Sequence, residues 1–155
     1  MKGILKFLLP AVLFFSLEVR AQSGGPVLNH IAVYVQDLKV STNFYSDIIG
    51  LDTIPEPFHD GRHTWFQVAA NSHLHVISGA KKKEKHDKNA HLCFSVPSIE
   101  AVIERLNNNH IPYESWAGKA SDVTLRVDGV KQIYFRDPDG YWIEINNDYP
   151  KAAEQ

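Results

Sequence analysis

The sequence predicts an α+β fold: two βαβββ modules whose strands make one curved mixed sheet, with helices on its convex face and a cavity on its concave one. Three observations predict it. An alternating apolar and polar run opens at His30 and another at His91; each is followed by a helical pattern and then by three strand-like runs; and a lysine-rich stretch divides the copies. The copies share order and alternation more than identity.

In the first copy, residues 28–79, the segment His30–Val35 puts Ile31, Val33 and Val35 on one face and His30, Ala32 and Tyr34 on the other. Residues 40–49 carry Phe44, Tyr45, Ile48 and Ile49 at helical spacing, with Asp37 or Ser41 as start signals and Gly50 as the stop. Strand-like runs at 51–54, 63–69 and 73–77 are rich in β-branched and aromatic residues, and Pro55, Pro57, Gly61 and Asn71-Ser72 part them. Residues 81–88 lack apolar spacing and read as a solvated linker. The second copy, residues 90–147, alternates over 91–96 and is helical over 99–108, with Ile99, Val102, Ile103 and Leu106 on one side. Strands follow at 123–127, 132–135 and 141–146, the last two joined by the turn sequence Asp137-Pro138-Asp139-Gly140.

The chain has 155 residues and a net charge of −2. Its Lys and Arg are scattered, without the basic stripe that tracks phosphates, so nucleic acid is not an expected partner. Lys2 and Lys6, the apolar run after them and Val19-Arg20-Ala21 read as a signal peptide over residues 1–21, cut after Ala21, with an uncleaved anchor as the alternative. Residues 22–27 are then a linker, 148–155 a tail, and the protein is exported, periplasmic or secreted, with no stable membrane insertion. Cys93 is the sole cysteine, so no internal disulfide forms. It reads as a small buried hydrophobe.

The residues expected to face the cavity include His30 on the first strand, His75 on the fourth, His91 on the fifth and Glu144 on the last. Each has apolar neighbours at the opposite parity, and each copy supplies one from its first strand and one from its last. Imidazole and carboxylate donors suit a divalent zinc, nickel, iron, cobalt or manganese ion. Tyr34 and Trp142 share the ligand-facing side as cavity walls. Arg62, Arg126 and Lys131 are candidate contacts for a substrate carboxylate. His59, His63, His86 and His110 read as surface residues.

Asn29-His30-Ile31-Ala32-Val33, the run from Phe44 to Leu51, His91-Leu92-Cys93-Phe94 and the run from Phe135 to Glu144 together resemble the vicinal oxygen chelate superfamily: glyoxalase I, bleomycin-resistance proteins and extradiol dioxygenases. The likeness is nearest to small glyoxalase-I-like proteins and spans about residues 28–147. It implies a metal at His30, His75, His91 and Glu144, with substrate oxygens at the open positions. Glyoxalase I usually has glutamate where this chain has His75, and members with two histidines and one carboxylate match only His30, His91 and Glu144.

The activity this implies is a metal-dependent lyase or isomerase that acts on a small α-oxo or α-hydroxy substrate through an enediolate, with Glu144 as base. A ligand-binding protein of the bleomycin-resistance kind is the alternative, and a ferrous extradiol-type dioxygenase the second. In this superfamily modules pair within a chain or across a dimer, and exposed sheet edges make a homodimer the expectation here.

Overall fold

The computed structural model describes residues 24–150, so the signal-peptide expectation and residues 151–155 lie outside the described residues. The elements run β1 (His30–Val35), α1 (Leu38–Asn43, continued as a π-helical turn over Phe44–Ile49), β2 (Thr53–Ile54), β3 (His63–Ala69) and β4 (Ser72–Ser78). The second module follows with β5 (His91–Ser95), α2 (Ile99–Asn108), β6 (Thr124–Leu125), β7 (Lys131–Arg136) and β8 (Trp142–Asn146). The twofold βαβββ repeat stands. The strands make two separate four-stranded sheets, β1-β4-β3-β2 and β5-β8-β7-β6, where one continuous sheet was expected. The outer strands β2 and β6 shrink to two residues each, because only Thr53, Ile54, Thr124 and Leu125 find ladder partners.

In each sheet the first strand pairs in parallel with the last, and the middle strands are antiparallel. A parallel connection needs a crossover, which α1 and α2 supply. Asp37 caps α1 by accepting from the Val40 amide, and Ser98 caps α2 in the same way at Ala101. The first helix ends in wide turns in which the Gly50 amide reaches back to Tyr45 O, and Gly50 at φ 88° closes it in a left-handed conformation.

Val33, Val35, Phe44, Tyr45, Ile48, Phe66, Leu74 and Val76 from the first module join Ile99, Val102, Leu106, Ile133, Phe135, Ile143 and Ile145 from the second in one buried cluster. Ile31, expected on this side, is 40% exposed, although its register partner Leu74 is buried.

The turn Asp137-Pro138-Asp139-Gly140 clasps the modules together. Asp137 Oδ1 accepts from its own turn's amides at Asp139 and Tyr141, while Oδ2 accepts from the Tyr45 hydroxyl at 2.8 Å. Asp139 accepts from the Ser41 hydroxyl at 2.9 Å and from the Gln36 amide at 2.8 Å. Arg105 on α2 donates to Ile48 O at 2.7 Å on the opposite side.

Burial raises the Asp137 carboxyl above the ordinary carboxylate range, and it outweighs the lowering effect of Tyr45 and the two amides. A raised folded pKa means that folding takes up a proton, so this contribution is present below the unfolded value and is lost as pH rises through the folded one. Urea unfolding across the mildly acidic range should therefore show a downward component with rising pH that is missing in Asp137→Asn. Tyr45→Phe should cost about 1–3 kcal/mol, because it leaves a buried carboxylate oxygen unpaired. Parallel wild-type and D137N curves, or an unchanged midpoint for Y45F, would count against the clasp.

Candidate metal centre

The strand register decides which side chains share a face. On the first sheet His30 pairs with His73, Ala32 with His75, and His75 with Trp65, so His30, His73, His75 and Trp65 lie on the side away from the helices. On the second, His91 pairs with Trp142, Cys93 with Glu144, and Glu144 with Tyr134, which places those five on the corresponding side. Position for position, His30 corresponds to His91, His75 to Glu144 and Trp65 to Tyr134.

The four expected ligands come together as two pairs. His91 Nε2 faces Glu144 Oε2 at 3.1 Å. His91 Nδ1 lies 2.7 Å from Lys88 O, an acceptor only, so that nitrogen carries a proton and fixes the ring with Nε2 turned to the carboxylate. Glu144 is buried, which acts to raise its pKa, but hydrogen bonds from Tyr134, Asn146 and Cys93 together with His91 leave it lowered. It is an ionised carboxylate paired with the second imidazole nitrogen of His91.

In the first sheet His30, His75 and Trp65 form a ladder of parallel rings. His30 and His75 stack at 4.2 Å and 8°, and His75 and Trp65 at 4.0 Å and 2°. His30 Nδ1 is held by Asn29 Oδ1 at 2.8 Å, which leaves Nε2 free. His75 Nε2 is buried and has no hydrogen-bond partner. Burial, and then the neighbouring His30 and His73, lower the His75 pKa, so its ring is held neutral.

These donors fit a divalent cation, since an imidazole nitrogen and a carboxylate oxygen converge in one pair and buried His75 Nε2 is orphaned in the other. Two features bear on how. Among the described residues no three His, Cys, Asp or Glu side chains are gathered so as to hold a metal. A cation also lies in the plane of each imidazole that binds it, and stacked rings share no such point. His30 and His75 therefore bind the same ion only if His30, the exposed member, turns out of the stack.

The remaining expected residues divide. Trp142 is buried on the cleft side, donates to His86 O at 3.2 Å and carries the Lys88 ammonium 4.8 Å from its ring centre. Tyr34 is half exposed on the cleft side of β1. Arg126, paired with Asp128, lies close enough for Cys93 and Glu144 to feel its charge. Lys131 faces the helix side, bound to Glu100 at 2.9 Å, and Arg62 folds back onto Ser78 O; neither faces the cleft.

Three other expectations change. Lys88, placed in the solvated linker, is half buried against Glu114, Trp116 and Tyr134. His63, read as a surface residue, opens β3 on the cleft side beside Phe58. Cys93 is exposed, and its thiol lies 3.3 Å from Glu144 Oε1. Tyr134 and Asn146, which the sequence reading passed over, both touch Glu144. Their even spacing from Glu144 along the hairpin was the available signal.

The chain belongs to the glyoxalase/bleomycin resistance protein/dioxygenase superfamily, whose pattern matches residues 27–145. An uncharacterised protein of Escherichia coli (strain K12), YaeR, is 30% identical over 133 residues, covering 79% of this chain and 96% of its own. A lactoylglutathione lyase of Pseudomonas putida is 26% identical over 152 residues, covering 77% and 83%. The solved structure of the oxidase ChaP-H1 superposes with a TM-score of 0.66 at 25% identity, covering 81% of this chain and 98% of that one.

Burial, and then the Glu144 carboxylate, push the Cys93 thiol up to about 12. Although exposed, it should react with iodoacetamide at pH 8 about 1000-fold more slowly than a free thiol, because only the thiolate attacks. Glu144→Gln should speed the reaction. A free-thiol rate in the wild type would show that the carboxylate does not govern this position.

Proposed function

We propose that the chain is a metal-dependent enzyme of the lyase or isomerase type, acting on a small α-oxo or α-hydroxy substrate, with His30, His91 and Glu144 as ligands to a divalent zinc, nickel, iron, cobalt or manganese ion. The observation that carries this reading is the approach of His91 Nε2 to Glu144 Oε2, with the far side of each group already tied to the protein. The likeness to a lactoylglutathione lyase supports the reaction class. A bound cation would polarise two adjacent substrate oxygens and stabilise the charge left when a neighbouring proton departs. His75 takes a part different from that of the glutamate usual at its place: its Nε2, buried and unpartnered in the single chain, takes the substrate proton once His30 turns out of the stack. Trp142, Tyr34 and the Trp65 edge exclude water, and Arg126 is the cleft-side counter-charge for an anionic group.

The site is completed by a second copy. β1 and β5 are each the edge strand of a sheet, and each begins with a ligand-type histidine. Setting β1 of one copy against β5 of another joins His30 and His75 to the partner's pair, and covers Val27, Leu28 and Ile31, which are exposed in the single chain. Export of the mature chain from residue 22 belongs to the same proposal and is tested by N-terminal sequencing.

A second reading, a ferrous dioxygenase acting on a catechol, is favoured by the set of two histidines and one carboxylate and by the likeness to the oxidase ChaP-H1. Oxygen consumption with ferrous iron and catechol separates it from the first.

Elemental analysis of the purified protein should find near-stoichiometric metal, lost in His30→Ala, His91→Ala and Glu144→Ala and kept in His75→Ala, which loses turnover of α-oxo substrates. Loss of metal in H75A as well would restore the four-ligand shell. Co-expressed H30A and H91A chains should recover about a quarter of the sites, as random pairing across a twofold dimer dictates. No recovery would place each site within one chain, and no metal in the wild type would leave a ligand-binding cleft.

A further inference from the structure

Glu144 and His75 occupy corresponding places in the two modules and are held in opposite ways. His75 pairs with Ala32 and Trp65, is pressed between aromatic rings, and accepts no hydrogen bond at Nε2. Glu144 pairs with Cys93 and Tyr134, and every flanking group donates to it. The Tyr134 hydroxyl gives Oε2 a 2.6 Å hydrogen bond. Oε1 receives the Asn146 amide at 3.0 Å and the Cys93 thiol at 3.3 Å.

The donors are themselves fixed by the next row of the sheet. Gln132 and Ser95 both pair with Asn146 in register. The Gln132 amide donates to the Tyr134 hydroxyl, and the Ser95 hydroxyl donates to Asn146 Oδ1 at 2.8 Å. Asn146 Oδ1 also accepts from the Asp148 amide at 3.1 Å. Two rows, Cys93-Glu144-Tyr134 and Ser95-Asn146-Gln132, thus form a polar grid across β5, β8 and β7, with Gln132, Tyr134, Glu144 and Asn146 all buried.

A carboxylate that swings between a metal and a substrate proton must give up hydrogen bonds each time it moves. Here that means leaving a buried hydroxyl and a buried amide without partners. We propose that Tyr134 and Asn146 are positioning residues that lock the Glu144 carboxylate with Oε2 turned to His91, making Glu144 a stationary ligand and not a mobile base. The proposal deepens the metal-binding reading above and rests on it for the word ligand; the clamp itself is a property of the metal-free chain.

Both parts can be measured separately. In the metal-free protein the side-chain amide protons of Asn146 should exchange slowly with solvent by nuclear magnetic resonance, and Glu144→Ala should remove the protection. With cobalt(II) as the probe, Tyr134→Phe and Asn146→Leu should bind about 10–100-fold more weakly and change the visible absorption bands, as the carboxylate gains freedom to bind through both oxygens. Wild-type cobalt affinity and unchanged bands in both variants would overturn the proposal, as would unprotected Asn146 amide protons in the wild type. Protected amide protons in a wild type that binds no cobalt would keep the clamp and reject the metal reading.

Discussion

The parallel pairing of the first strand with the last in each module is the constraint on which the rest depends. Side chains alternate along a strand, so once β1 lies beside β4 in the observed register, His30, His73 and His75 must share a face while Val33, Leu74 and Val76 go to the helices. The same pairing of β5 with β8 commits His91 and Glu144 to one side and Leu92, Ile143 and Ile145 to the other. A shift by one residue would bury a histidine and a carboxylate under the helices and expose the aliphatic core. The hydrophobic requirement of the core is thus what aims the polar site.

The modules use this common register for different chemistry. In the first, the cleft face is a ladder of rings, with His75 flat between His30 and Trp65; in the second it is a hydrogen-bonded grid around Glu144. Stacking leaves nitrogen lone pairs free, whereas the grid occupies the carboxylate oxygens. One half presents stacked imidazoles, with His75 Nε2 unpartnered, and the other a carboxylate held by hydrogen bonds on both oxygens. The Asp137–Asp139 turn, which binds Tyr45, Ser41 and the Gln36 amide, holds the modules together through the helix side.

Much of the fold was legible because it follows from local pattern. Strand β3 and helix α2 begin and end where alternation and helical spacing place them, and Asp37 caps α1 as its residue type suggests. The outer strands were overread at 51–54 and 123–127, since β-branched composition signals a strand but does not say whether a neighbour is there to pair with it. Parity placed His30, His75, His91 and Glu144 on the cleft side, where the strand register puts them. It missed Tyr134, Asn146 and Lys88, whose importance comes from what lies across the sheet or beyond a loop.

The sequence by itself determined the repeat, the polarity of each strand face and the chemical type of the four donors, because these depend on residues two to four positions apart in the chain. Only the tertiary structure decided that the strands divide into two sheets, that the donors stand as two pairs, that the His75 ring is stacked against its neighbours and that Glu144 is clamped. Those outcomes rest on contacts between residues dozens of positions apart, such as Tyr45 with Asp137 and Cys93 with Glu144. Distance across a sheet and the plane of a ring are set by packing, and no spacing along the chain encodes them.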